Sequence, residues 1–578
     1  MADEWGIALC LAGAQAEPEQ LTALAGRAEA GGLDVVVLRD DEGGLDPWTT
    51  AAWLAGRTDR IQIGVPGALD GLTPAMAGKA RESLGILAGT RVVTTEMAWE
   101  AVPAAAPEDV DRLIQEVGVR DRPRRPAAVR ALRRDGIDYD GIPASLADVA
   151  IEPGDPGYRG HRSTYMRGGS PGLVLRPRTP AEVADALAFA RRHRHLPLGL
   201  RSGGHGVSGR STNDGGLIID LGAMNEIRVL DEQRRIVRVG PGATWKQVAA
   251  VLDRYGWALG SGDYGGVGVG GLATAGGIGL LSREHGLTID HLRAVEVVLA
   301  DGTPVRASER ENPDLLWAIR GAGANFGVAT AFEFEVSEVG EVGWAQLVLV
   351  SPDIEQTLKQ YGAVARTAPR DTTVFLGSGP AQPGQSVVQL YGIVDNPDPE
   401  VVVERLTPFA STGLLVQQRV VLTSYAQVMA EAADVGPDGH HSRGEPVSRS
   451  AFLPRLTDEF ARDAARLLHS GEVYFFQLRH MGGAITDTPP SATAFAHRTP
   501  EFQLTVMGSD RDALNRAWDR LAHHFDGLYL SFETDPRPER LLDAFPPDVL
   551  TRLRTLKRRY DPGNLFRDNF NIDPEVQA

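Results

Sequence analysis

Two glycine-rich stretches decide how this chain is read. They are Arg201-Ser202-Gly203-Gly204-His205-Gly206-Val207-Ser208-Gly209 and, further on, Gly260-Ser261-Gly262-Asp263-Tyr264-Gly265-Gly266-Val267-Gly268-Val269-Gly270-Gly271, running on to Gly276-Gly277-Ile278-Gly279. Neither has the Gly-Lys-Ser ending of a phosphate loop or a clean dinucleotide fingerprint. Alone, each is ordinary turn chemistry. As a pair, they let backbone N–H groups converge on one concavity and approach a pyrophosphate closely, where larger side chains would stand in the way. A diphosphate cofactor fits that geometry.

The surroundings of the loops are α+β in texture. A strand predicted at Pro197–Leu200 leads into the first loop, after a helix opening at Thr179-Pro180-Ala181-Glu182. That opening is a capping box with proline in the first turn, and Val183, Leu187 and Ala190 form the apolar stripe. Further strands are predicted at Leu217–Leu221 and Ile236–Val239, with a second capping box from Thr244 to Gln247. Longer alternating runs follow at Ala345–Val350, Val387–Tyr391, Val473–Leu478 and Gln503–Met507, which predict a separate antiparallel sheet with helices on one side. A basic helix at Pro547–Tyr560 ends at Asp561-Pro562-Gly563.

Four motifs then carry a resemblance: Arg201 to Gly206, Asn213-Asp214-Gly215-Gly216-Leu217, Val239-Gly240-Pro241-Gly242-Ala243-Thr244-Trp245, and Val267 to Gly271. They resemble the FAD-linked oxidases of the vanillyl-alcohol oxidase superfamily, in its berberine bridge enzyme-like branch. Gly286-Leu287-Thr288-Ile289-Asp290, Asn312 to Ala318, Arg320 to Gly327, Tyr560 to Phe566 and Asn569-Phe570-Asn571-Ile572 extend it in order, over residues 155–575. The resemblance implies an α+β fold, with a two-part FAD-binding domain of the vanillyl-alcohol oxidase type and an antiparallel-sheet substrate domain. It implies FAD contacts from Arg201, Ser202, Gly203, Gly204, His205, Gly206, Ser208, Tyr264, Val267, Gly268, Gly270, Gly271, Gly276, Gly277, Gly279, Asp290, Asn569 and Asn571. The histidine matching His205 bonds to the flavin 8-methyl carbon in that family, a reaction suited to a neutral imidazole nucleophile. Many members add a second bond from a cysteine. The register puts Tyr264 there, so the expectation is attachment through His205 only and a less oxidising flavin than a doubly attached one. The small branched Val267 is associated in the family with oxygen reactivity.

On the substrate side, Gly527-Leu528-Tyr529-Leu530-Ser531-Phe532 resembles the family's Tyr-x-Asn-Tyr strand, whose last aromatic often supplies a phenolate base. Phe532 cannot do so, and Ser531 replaces the asparagine. Tyr529 keeps a hydroxyl, facing either substrate or core. Asp487 is a second candidate base if an apolar pocket raises its pKa, although Thr-Asp-Thr-Pro-Pro is also turn composition. His480 and Gln477 lie on the preceding strand, on opposite faces, so at most one of them reaches the cavity. Phe532 tilts the expectation toward substrates that need no tyrosine base.

The first hundred residues alternate strand and helix patterns: Ile7–Leu11, Glu19–Gly31, Val35–Leu38, a helix opened by Asp46-Pro47, and Ile61–Val65. Segments 32–37, 45–64 and 84–92 resemble the opening third of luciferase-like monooxygenases. That is too little chain to close a barrel. The segment is expected to be a remnant or to complete itself with a second copy, a possible homodimer, and no catalysis is assigned to it. The chain divides on this reading into 1–95, a partial luciferase-like segment; 96–150, a linker with some helix; 151–338, FAD-binding; 339–526, substrate; and 527–578, a return to the FAD-binding domain.

A net charge of -17 across 578 residues disfavours nucleic acid as a partner, with the Arg120 to Arg134 run read as a solvated exception. The single cysteine, Cys10, allows no intramolecular disulfide, and the opening Asp3-Glu4 lacks the basic start of a signal peptide. A cytoplasmic protein with no membrane span and no metal site is expected. The partners are a small substrate (alcohol, amine, sugar or natural product) and oxygen, with hydrogen peroxide as by-product. A flavin dehydrogenase with another acceptor and a non-catalytic flavin-binding module are the competing readings.

Overall fold

The computed structural model describes residues 127–575 except 383, 434–444 and 536, together with the earlier segments 8–11, 18–30, 33, 35–38, 47–55, 57–58, 61–66, 92–95, 101–104, 106–117 and 125. The chain divides into two compact units. One comprises residues 1–162, 170–176 and 214–217; the other comprises 163–169, 177–213 and 218–578.

The first unit holds a five-stranded parallel sheet in the order Val92–Thr95, Gln62–Pro66, Val35–Leu38, Ala8–Leu11, Ala101–Ala104. Helices Pro18–Ala30, Pro47–Ala55 and Pro107–Val117 bury Leu21, Leu24, Leu54 and Val110 with Val36, Ile63 and Val65 of the strands. The stretch expected to be a linker with some helix therefore contributes a strand, Ala101–Ala104, as well as a helix to this unit. Ala101–Ala104 has no alternating pattern and contains Pro103, which a sheet tolerates at an edge, where the strand lies. The Asp46 cap and residues 84–91 of the luciferase-like resemblance lie outside the described residues. In the basic run, Arg125 and Arg133 are paired with Asp155 and Glu152, at 2.9 and 2.6 Å. Residues 118–124 lie outside the described residues.

Besides a two-stranded sheet of Trp257–Ala258 with Ser337–Glu338, the second unit contains, among the described residues, two large antiparallel sheets. One has five strands in the order Ile227–Asp231, Ile236–Val239, Val328–Glu335, Leu292–Val298, Pro304–Ser308. Helix Pro180–Arg192 starts as the capping pattern predicts, with the Thr179 hydroxyl accepting from Glu182 N at 3.2 Å.

The larger sheet has seven strands in the order Leu414–Ser424, Glu341–Ser351, Ser386–Val394, Thr372–Ser378, Phe475–His480, Phe502–Gly508, Val447–Leu453. Strand alternation sorts its two faces. Leu376, Phe476, Leu478, Leu504 and Val506 pack in one cluster with Leu358, Tyr361, Phe460 and Leu514 of the covering helices. Each such fully buried side chain is worth about 1.5–3 kcal/mol of hydrophobic stabilisation. The intervening residues Phe375, Gln477 and Arg479 therefore face the other way, and that face carries the chemistry described next.

Candidate functional site

Strand Leu198–Arg201 delivers the chain into the first glycine loop, and the second glycine loop lies against it backbone to backbone. A Cβ on Gly203 would stand 2.5 Å from Gly268 N, and one on Gly268 would stand 2.1 Å from Gly203 N. Only glycine permits this approach. The Ser202 hydroxyl fastens the pair, donating to Pro241 O at 2.6 Å and accepting from Gly270 N at 3.2 Å. Both loops line a cavity in the second unit. Arg201, Ser202, Gly203, Gly204, His205, Gly206, Ser208, Val267, Gly268, Gly270, Gly271 and Asn569, all predicted as cofactor contacts, are on its wall.

At one part of this wall the His205 imidazole stacks on Tyr165, with centroids 4.7 Å apart and planes inclined by 20°. The Tyr264 ring lies 5.5 Å away, tilted. Tyr264 thus neighbours the imidazole without lining the cavity itself, and its hydroxyl donates to Ala433 O at 2.5 Å. Arg210 is also on the wall, donating to Asn569 Oδ1 at 3.1 Å and lying 4.1 Å over the Phe570 ring. Burial lowers its pKa to about 10, so it remains a cation at neutral pH. The C-terminal motif is locked by a buried ammonium: Lys557 Nζ donates to Asp561 Oδ2, Asn325 O and Phe566 O, each at 2.8 Å. Asp561 in turn accepts from Leu565 N and Phe566 N at 2.9 Å. That lock sets Phe566, Asn569 and Phe570 along the cavity.

Bare backbone, a cation, an apolar wall of Val267, Leu272, Ile278 and Ile319, and a nucleophilic ring nitrogen are the features FAD needs. When bound there, FAD supplies a two-electron acceptor.

Several predicted contacts lie elsewhere. Gly276, Gly277 and Gly279 are not on the cavity wall. A Cβ on Gly279 would sit 1.4 Å from Ser261 O, and Gly276 abuts the Phe495 and Tyr529 rings, so these glycines serve close packing. Asp290 forms a two-pronged pair with Arg498, at 2.7 and 2.9 Å, and caps Leu287 N. Asn571 is off the wall, its side-chain oxygen buried without a hydrogen-bond partner among the described residues.

Of the candidate bases, Asp487 is exposed and paired with Arg370 at 2.8 Å, away from the cavity. His480 is turned to the helix side of its strand, against Phe502, where burial pushes its pKa well down. Tyr529 does line the cavity, but its oxygen accepts from Gly277 N at 3.0 Å and its ring sits among Phe452, Phe495 and Phe532. The Gly527–Phe532 segment, read as a strand, instead ends in a 3-10 turn over Leu530–Phe532, after Gly527 at φ +93°.

A polar cluster that the sequence reading did not assemble stands here. Asp263, on the cavity wall, accepts at Oδ2 from Tyr391 Oη at 2.7 Å and from Gln477 Nε2 and Arg479 Nη2, each at 3.2 Å. Burial pushes the Asp263 carboxyl up, but the Arg479 charge and the hydrogen bonds from Tyr391 and Arg479 outweigh it and hold it below the usual carboxylate range. Burial and the neighbouring Asp263 charge push the Tyr391 phenol well up. Strand parity allowed either Gln477 or His480 into the cavity but not both, and nothing in the sequence joined Asp263, Tyr391 and Arg479 to Gln477.

Residues 171–308 match the FAD binding domain family model, and residues 8–94 match that of luciferase-like monooxygenases. The chain is 27% identical to (R)-6-hydroxynicotine oxidase of Paenarthrobacter nicotinovorans over 460 residues, covering 75% of this chain and 98% of that protein. It is also 27% identical to xylooligosaccharide oxidase of Thermothelomyces thermophilus over 444 residues, covering 70% of this chain and 88% of the relative. Its fold matches that of BBE-like 1 of Physcomitrella patens with a TM-score of 0.66 at 21% identity, over 74% of this chain and 97% of that one. The chain is an FAD-linked oxidoreductase with a berberine bridge enzyme-like fold. Such an enzyme combines an FAD-binding domain with a large antiparallel-sheet substrate domain. No helix among the described residues is long and apolar enough to cross a membrane.

Proposed function

We propose that this oxidoreductase holds FAD through one covalent bond from His205 and oxidises a small organic substrate in the cytoplasm, passing the electrons to oxygen to give hydrogen peroxide. The observation that carries the reading is the place of His205: its imidazole is on the cavity wall, braced by Tyr165 and Tyr264, beside the loops whose bare backbone suits the diphosphate. Tyrosine at residue 264, with Cys10 the one cysteine of the sequence, supports attachment without a bond through sulfur. Val267 on the wall supports oxygen as acceptor. The relatives named above act on a hydroxynicotine and on xylooligosaccharides, an amine and a sugar, so kinship leaves the substrate class open.

The test is acid precipitation followed by peptide mass spectrometry. Yellow colour should stay with the protein, and one peptide containing His205 should carry the mass of FAD. In His205→Ala, the colour should move to the supernatant. Colourless wild-type pellets from a protein that does bind FAD would remove the covalent bond from the proposal. Oxygen uptake on reoxidation of the reduced protein, with peroxide formed in equal amount, tests the acceptor.

A further inference from the structure

Tyr264 leans against the His205 imidazole, and its sequence neighbour Asp263 puts a carboxylate on the wall of the cavity that His205 also lines. Its two oxygens are not equally occupied. Oδ2 takes the Tyr391, Gln477 and Arg479 contacts already given; among the described residues, Oδ1 receives a long side-chain contact from Arg479 Nη2, at 3.4 Å, and the carboxylate also accepts from its own backbone N–H. A carboxylate serving architecture alone is expected to have both oxygens well satisfied. The donors are themselves anchored: Arg479 Nη1 donates to Gln503 Oε1 at 3.0 Å, and its guanidinium lies 4.2 Å over the Phe532 ring, which also lines the cavity. Two more polar atoms of the cluster, Gln477 Oε1 and Arg479 Nε, are buried without a hydrogen-bond partner among the described residues.

We propose that Asp263 is the catalytic base of this enzyme and that its substrate is oxidised at a carbon bearing a hydroxyl group. The inference rests on the cavity being the FAD site. Oδ1 accepts the hydrogen bond of the substrate hydroxyl. In the reaction the O–H bond breaks, its proton passes to Oδ1, and its electron pair becomes the second bond of a carbonyl. The hydrogen on the carbon leaves with two electrons, the pair that FAD-linked oxidation removes. The proton is later released to solvent. Arg479, Tyr391 and Gln477 are positioning residues that keep the carboxylate ionised and turned to the cavity. The base that Phe532 cannot provide thus comes from the FAD-binding loop, and the sheet contributes its support. An amine substrate is disfavoured, because Arg479 already neutralises the carboxylate that an ammonium group would seek.

The experiment is anaerobic reduction of the FAD-loaded enzyme with cellobiose, xylobiose and benzyl alcohol as hydroxyl probes and benzylamine as the amine. At least one hydroxyl probe should bleach the flavin, and benzylamine should not. Asp263→Asn should keep its flavin content but reduce roughly 10²- to 10⁴-fold more slowly at saturating probe, the usual contribution of a positioned base. The pH profile separates a base from a strut. The groups facing Asp263 are Arg479, Tyr391, Gln477 and, from helix Tyr425–Ala430, Tyr425. The acid limb should lie below the ordinary carboxylate value of about 4 in the wild type. It should move upward in Tyr391→Phe and further in Arg479→Met, as the support for the ionised form is withdrawn. Should Arg479→Met fail to fold, the Tyr391→Phe shift carries the test. Bleaching by benzylamine alone, by no hydroxyl probe, or at an undiminished rate in Asp263→Asn overturns the inference, as does a limb that stays in place in Tyr391→Phe. A protein that takes up no FAD overturns the proposed function instead.

Discussion

Replacing Gly268 by alanine is the sharpest test of the paired-loop cradle. The added Cβ would lie 2.1 Å from Gly203 N, 2.3 Å from Ser202 Oγ and 2.7 Å from Gly203 Cα. Unstrained contacts between such atoms need about 3.5 Å or more, so the loops must part by roughly an ångström or beyond. The Ser202 hydroxyl can rotate aside; the Gly203 backbone cannot. Overpacking of this kind costs typically about 1–3 kcal/mol, to be read as a lower urea midpoint of the apoprotein. The parted loops should also lower the FAD-to-protein absorbance ratio of purified enzyme. Gly271→Ala is the matched control: its Cβ meets nothing within 4 Å, and the residue lines the cavity. It should leave apoprotein stability within about 0.5 kcal/mol of wild type, as an unobstructed substitution does, while still weakening FAD retention by intruding on the site. A Gly268→Ala protein with the wild-type midpoint and full FAD would refute the claim that backbone contact between the loops builds the cradle.

Two further outcomes follow from buried charge. Lys557→Met removes one partner of a fully buried pair and strands the Asp561 carboxylate, so it should destabilise the second unit by about 3–5 kcal/mol in urea unfolding; a change under about 1 kcal/mol would show that Asp561 is satisfied by its backbone donors alone. Burial holds His480 neutral well below the usual histidine value of about 6.5, so the unfolded chain gains a proton that the folded chain refuses as pH falls through that value. Stability should therefore drop below about pH 6.5, and His480→Gln should flatten that part of the stability–pH curve; an unchanged slope would mean that the imidazole is protonated in the fold.

The helix cap at Thr179 and the strands around Val387–Tyr391 and Gln503–Met507 were legible because capping and alternation are local properties of the chain. The glycine loops were legible because so dense a run of glycine has few structural uses besides close backbone approach. The same local signal misled at Gly276, Gly277 and Gly279, where glycine admits protein backbone and side chains in place of a ligand. It was silent at Ala101–Ala104, an edge strand held by its neighbour and lacking any pattern of its own.

By itself, then, the order of residues determined the fold class, a pair of glycine loops with His205 in the first of them, and the presence of a single cysteine, Cys10. Tertiary structure decided which charged groups meet. Asp263, Tyr391 and Arg479 lie on one loop and two strands far apart in the chain, and nothing local to any of them specifies the others. Asp487 and His480 were removed from the cavity in the same way: one by an ion pair on the exposed surface, the other by strand parity that turns it beneath the helices. Hydrogen bonds and ion pairs act over a few ångströms in space, and only the folded chain brings these partners within that range.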